Sequence, residues 1–145
     1  EIITRKVLRR LKFDNDTLAK TSRLVLYHDY RMPATPKNVR RAINKIGEDL
    51  FPYYMEVRRA DVMAQSLYKR EEKLQNLDDI ENIYNDIIAA KQCVSLKTLA
   101  VAGKDLIEAG MEPGKGIGEK LNEFLSLVLD DPSLNTKEEL LKRLY

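Results

Sequence analysis

The stretch "TPKNVRRAINKIG" at residues 35–47 carries the punctuation of a complete helix, and similar punctuation recurs along nearly the whole chain. Thr35 suits an N-cap because its hydroxyl can accept from an unpaired first-turn amide. Pro36 suits the first helical position, where a missing N–H costs nothing, and Gly47 suits the left-handed stop. No segment sustains the two-residue alternation of a half-buried strand. These patterns predict an all-α protein, with about 7–9 helices and strand content near zero.

The remaining segments fill in that array. "EIITRKVLRRL" reads as helix interior from its first residue and predicts a piece of something larger. "KFDNDT" is a polar turn in which Asn15 or Asp16 can cap a helix running to about Asp29 through Leu18, Leu24, Val25 and Leu26. A longer helix follows from Asp49 through "PYYMEVRRADVMAQSLY". In "KREEKLQNLDDIENIYNDIIAAKQ", Ile80, Ile83, Tyr84, Ile87 and Ile88 fall at i, i+3, i+4, i+7 and i+8, one apolar stripe on a charged helix. A short helix then ends near Gly110, and the next places Ile117, Leu121, Phe124, Leu125 and Val128 on one face, with Pro132 beyond its end. In "NTKEELL", Asn135 with Glu138 three residues on resembles a capping box. The expected organisation is a helical region over residues 1–68, a connecting helix over 69–92 and a second helical region over 93–145, two packed clusters joined by the longer helix.

Composition narrows the functional classes. At 145 residues and 43% hydrophobic content the chain can bury a real core. Its 25 basic residues against 23 acidic ones leave a net charge of only +2, so any nucleic-acid surface must come from local clustering. A single cysteine, Cys93, excludes an internal disulfide framework and points to a reducing, cytoplasmic setting. No apolar run reaches the roughly 18–20 residues of a membrane span, and no signal-peptide pattern is visible.

Several clusters have chemical potential. In "GMEPGKGIGEKL", four of the six glycines fall between Gly110 and Gly118. Lys115 is followed by Gly116 rather than a hydroxyl residue, so this is no Walker loop, and the G-x-G-x-G order after a helix is no dinucleotide fingerprint. A Gly-rich hairpin "PGKGIG" before a helix does expose amides to an anion, and Lys104, Lys115 and Lys120 supply charge. The competing reading is a helix C-cap and linker. In "PKNVRRAINKIG", a helical wheel puts Lys37, Arg40, Arg41 and Lys45 on one arc opposite Val39, Ala42, Ile43 and Ile46, either a phosphate grip or a solvated face. A second basic patch holds Arg5, Lys6, Arg9, Arg10 and Lys12. Asp14 and Asp16 have D-x-D spacing, but their turn composition favours helix capping over metal binding. His28 and Asp61 form either the remnant of a metal site, which needs at least three ligands, or a polar pair between helices.

The order of "LKFDNDT", "LVLYHDYR", "VRRAINKIGEDLF", "RRADVMAQS", "CVSLKTLAVAGKDLIEAGMEPGKGIGEKLNEFL" and "NTKEELL" resembles the C-terminal part of bacterial CCA tRNA nucleotidyltransferases with an HD-type helical region, within the wider poly(A) polymerase family. The resemblance covers essentially the full chain. It implies an RNA-binding, catalytically inactive piece of a transferase that completes the tRNA 3′ end, with Mg2+, CTP and ATP handled by an N-terminal head. It implies further that the region from about Cys93 onward meets the tRNA backbone at the elbow, through Lys104, Gly114, Lys115, Gly116 and Lys120. His28 and Asp61 match the late histidine and closing aspartate of the HD pattern, without the earlier ligands. Three alternatives stay open: an HD-type metal-dependent phosphohydrolase, a helix-hairpin-helix DNA-binding element whose P-G-I-G turn is here split by Lys115 and Gly116, and a helical protein-interaction module.

Overall fold

The computed structural model describes residues 1–144 and consists of helices with no strand among those residues. The helices are α1 (Ile2–Arg10), α2 (Asn15–Tyr27), α3 (Pro36–Ile46), α4 (Phe51–Ala64), α5 (Arg70–Ala89), α6 (Gly103–Glu108), α7 (Lys115–Asp130) and α8 (Lys137–Leu141). Short 3-10 turns occupy Leu96–Thr98 and Pro132–Leu134. The chain forms two compact units, residues 1–83 and 84 onward, and the division falls within α5.

In the first unit, α3 has the punctuation its sequence announces. The Thr35 hydroxyl accepts from the Asn38 amide at 3.4 Å, Pro36 opens the helix, and Gly47 closes it at φ 113° while its amide donates to the Ile43 carbonyl at 2.9 Å. Val39, Ala42, Ile43 and Ile46 are fully buried, with Phe51, Tyr54, Met55 and Val62 of α4 among the other buried residues of this unit. Tyr54 keeps its hydroxyl satisfied by donating to the Tyr30 carbonyl at 2.6 Å. Burial pushes that phenol up to about 12.

Two expectations at helix ends are corrected. The cap of α2 is Asp14 rather than Asn15 or Asp16: its carboxylate accepts from the Thr17 amide at 2.9 Å and from the Thr17 hydroxyl at 2.6 Å. Asn15 is already helical, and Asp16 in the first turn pairs instead with Lys20 at 2.7 Å. The helix ends at Tyr27, and Leu26 lies exposed while Leu18 is buried. Likewise, α4 stops at Ala64 instead of running to Tyr68, because Gln65 turns extended and Arg70 reaches back to the carbonyls of Met63 (3.2 Å) and Gln65 (2.6 Å). A cation on those terminal carbonyls replaces the lost helical partners.

The second unit has its own core of Cys93, Val101, Leu106, Phe124, Leu125, Val128, Leu129, Leu140 and Leu144. Cys93 is buried in it, and its thiol donates to the Ser95 carbonyl at 3.4 Å. Gly103 permits close packing here, since a Cβ at that position would stand 3.1 Å from Ile117 Cγ2. Asn135 does not cap α8. Its side chain accepts from the Ala100 amide at 2.8 Å and donates to the Thr98 carbonyl at 3.1 Å, pinning the approach to α6. Thr136 takes the cap by accepting from the Glu139 amide at 3.2 Å.

Truncating Ile43 to Ala should cost about 2–5 kcal/mol, whereas Val57→Ala, at a 37% exposed position on α4, should stay within about 0.5 kcal/mol. Asp14→Ala should lower the unfolding midpoint through the lost cap. Urea unfolding followed by circular dichroism checks all three, and equal losses at Ile43 and Val57 would contradict the packing described.

Candidate nucleic-acid interface

The four clustered glycines divide into separate tasks. Gly110, at φ 100°, ends α6: its amide donates to the Ile107 carbonyl at 3.0 Å and the Met111 amide to the Leu106 carbonyl at 2.9 Å. This is the paired closure of a Schellman stop. Gly114 is the N-cap of α7, no side chain caps that end, and nothing lies within 4 Å of where its Cβ would sit. Gly116 and Gly118 lie inside the first turns of α7, so the expected "PGKGIG" hairpin is shorter and everything in it from Lys115 onward is helix. Helix propagation wins because each further residue adds a backbone hydrogen bond.

The cations around that helix start differ in availability. The Lys115 side chain is 93% exposed and meets Glu119 only at 3.7 Å, an exposed pair of small energetic weight. Lys104 is also exposed. It follows Gly103, whose contact with Ile117 brings the starts of α6 and α7 together. Lys120 is held differently: its side chain is 20% exposed, bonds Glu123 at 2.9 Å and stands 5.6 Å from the centre of the Phe124 ring. The carboxylates of Glu112 and Glu119 are exposed on the same stretch, so the charge there is mixed.

On α3 the single cationic arc expected from the wheel is corrected. Lys37 and Lys45 are exposed and Arg41 is half-buried, but Arg40 is buried at 5% exposure. On the wheel Arg40 lies only about 60° from Ile43, and packing of that apolar face takes it out of solvent. Lys45 sits over the rings of Tyr30, at 4.7 Å, and Tyr27, at 5.8 Å.

His28 and Asp61 are brought to one neighbourhood by an arginine. Arg58 donates to the His28 carbonyl and to the Asp61 carboxylate, each at 3.1 Å. Asp61 also accepts from Gln65 at 2.8 Å, and the His28 ring donates from Nδ1 to the Val25 carbonyl at 2.7 Å. Among the described residues no group of three or more His, Cys, Asp or Glu side chains could hold a metal ion. In this structure the Asp61 carboxylate is paired with the Arg58 guanidinium.

Sequence reading missed the polar anchor that positions α6. Asp105 is buried, yet its carboxylate accepts from Lys137 at 2.6 Å and from the Ala102 amide at 2.7 Å. The Lys137 ammonium, then the Ala102 amide, hold its carboxyl below the ordinary range, and Lys104 adds a weaker attraction. Lys137 is correspondingly raised, by Asp105 first and by Glu108 more weakly. An acid three residues after Ala102 was the available signal for the amide bond. Its partner, 32 residues away in sequence, left no local trace.

With helices only and no strand among the described residues, an α7 start that no side chain caps, and the exposed Lys104 and Lys115 near it, the chain is an all-helical module and lacks the sheet of a nucleotide-binding α/β site. Residues 2–144 match the family described as "tRNA nucleotidyltransferase domain 2 putative", and the chain belongs to that family. Comparison with the curated proteins and with the solved structures gave no match. Among the described residues no helix is long and apolar enough to cross a membrane.

The Asp105–Lys137 pair predicts a plateau of stability with two limbs. Because the folded Asp105 pKa is depressed, its contribution is present above the unfolded value, about 3.9, and is lost as pH falls through the lower folded one. Because the folded Lys137 pKa is raised, its contribution is present below about 10.4 and is lost as pH rises through the higher folded value. Asp105→Asn should flatten the acid limb of urea midpoints measured against pH. An unchanged acid limb would remove Asp105 as its source.

Proposed function

We propose that this chain is the tRNA-binding helical portion of a CCA-adding tRNA nucleotidyltransferase, corresponding to the body and tail of a bacterial enzyme with an HD-type region. It grips the tRNA backbone near the elbow and presents the 3′ end to a head domain elsewhere in the parent, which supplies the carboxylates, Mg2+, CTP and ATP. The observation that carries this reading is the start of α7: an uncapped amide terminus at Gly114, beside the exposed Lys115 and adjoining the α6 start that bears Lys104. Unpaired amides and the positive end of the helix dipole favour an anion there, and the family match supports tRNA as the partner.

Within this reading Lys104, Gly114, Lys115 and Gly116 make the closest approach to phosphate. Lys120 follows after releasing Glu123, and Lys37 and Arg41 add a second contact on α3, with Arg40 supporting it from the buried side. Such contacts set orientation without reading sequence. The nucleotidyltransfer step lies outside them, in a cytoplasmic enzyme.

A protein-interaction module is the second reading, favoured by the exposed Tyr53 and Met63 of α4 and by Leu67 and Tyr68 beyond it. A concentration-dependent oligomer in sedimentation, together with indifference to RNA, would favour it.

Titration with tRNA at low salt should give a micromolar or weaker Kd whose logarithm rises steeply with that of the salt concentration. The double change Lys104→Ala and Lys115→Ala should lower that slope by about 1–2 while leaving the thermal unfolding unchanged. No binding at about 50 mM salt, or equal affinity for duplex DNA, would overturn the reading.

A further inference from the structure

The first unit contains a cavity of about 520 Å³ that the tRNA-backbone reading does not use. Its wall is built from the Tyr30–Met32 segment, from α4 residues including Tyr54, Arg58 and Val62, and from the N-terminal half of α5. The volume is that of a small-molecule site, which typically spans about 300–1,000 Å³. Met32, Val62, Leu77 and Ile80 give it a buried apolar floor backed by the buried Tyr54, and the half-buried Tyr30 adds aromatic surface.

Its polar groups are unevenly satisfied. Arg58 is buried, and its charge is matched by Asp61 at 3.1 Å. On the rim, Arg31 meets Asp29 at 3.2 Å, Lys69 meets Glu72 at 3.7 Å, and Asp79 accepts from Gln75 at 3.0 Å. Lys73 differs from these: half-buried in the wall, it donates to the neutral Gln65 side chain at 3.1 Å. A cation in a partly desolvated wall, bonded to a carboxamide, retains its attraction for an anion. Asn76, also in the wall, spends its amide on a long 3.4 Å contact with the Met32 carbonyl. A carboxamide has four hydrogen-bonding positions, so the Asn76 carbonyl and the remaining Gln75 groups can address a ligand edge.

We infer that this cavity binds a nucleoside monophosphate unit, with the flat base on the apolar and tyrosine surface, its edge read by Asn76 and Gln75, and its phosphate held by Lys73 with Lys69. An apolar floor alone would take any hydrophobic ring, and a lysine alone any anion. Carboxamides that pair with a base edge, beside a cation and aromatic surface, select the combination. The unit can come from a free nucleotide or from an unpaired RNA end, since both present the same base and phosphate. The inference uses residues of the first unit only and does not depend on the α7 site.

Calorimetric titration of the whole chain with AMP, CMP, adenosine, inorganic phosphate and a single-stranded tetranucleotide tests it. AMP or CMP should bind with a Kd of about 1 mM or tighter, adenosine and phosphate each more weakly, and Lys73→Gln should weaken binding about tenfold. Should Lys73→Gln lose its fold, Lys69→Gln on the exposed rim should still weaken binding a few-fold. Binding of the tetranucleotide without the mononucleotides supports an RNA end as the source, and the reverse supports a free nucleotide. Failure of all nucleotides to bind, phosphate binding as tightly as AMP, or affinity unchanged in both variants would overturn the inference.

Discussion

Helices of five or six residues, such as α8 and α6, do not persist alone in water, because the cost of fixing the first turn exceeds what so few hydrogen bonds return. Their existence depends on burial of a few apolar side chains, above all Leu106 of α6 and Leu140 of α8, in a common core with Phe124, Val128 and Leu129. That core fixes where α7 begins and brings its first turn against Gly103. The candidate phosphate site inherits its geometry from this packing rather than from its own residues. In the first unit the buried face of α3 plays the same part, with Val39, Ala42, Ile43 and Ile46 fully enclosed.

Polar anchors complete what apolar burial leaves loose. Asn135 satisfies backbone groups at Thr98 and Ala100, and Asp105 joins the Ala102 amide to Lys137, so the approach to α6 is fixed from both sides. Charged side chains with few such commitments, Lys104 and Lys115, remain near the helix starts. Since the whole chain carries only +2, the tRNA attraction proposed above would have to arise from this local arrangement. The buried Arg58 shows the opposite case, a charge spent on holding the His28 carbonyl and Asp61 together.

Local chemistry was the legible part. Thr35, Pro36 and Gly47 act within a few residues of themselves, so their cap, first position and stop were readable and occur as read. Where two neighbouring residues offer the same chemistry, pattern alone chose wrongly: Asp14 took the cap expected of Asn15 or Asp16, and Thr136 the one expected of Asn135. Asn135 was claimed by a backbone more than thirty residues away. Arg40 looked like a solvent cation on the wheel, yet it lies close enough to Ile43 for the packed face to enclose it.

Periodicity, caps and motif order are properties of neighbours along the chain, so the all-helical class, most helix ends and the tRNA nucleotidyltransferase family could be read from residue order alone. Packing set the rest: it made the glycine stretch a Schellman stop, a short turn and an uncapped helix start, left Lys115 in solvent, laid Lys120 along its own helix and joined Asp105 to Lys137. Exposure and pairing depend on which surfaces meet, and those surfaces are distant in sequence.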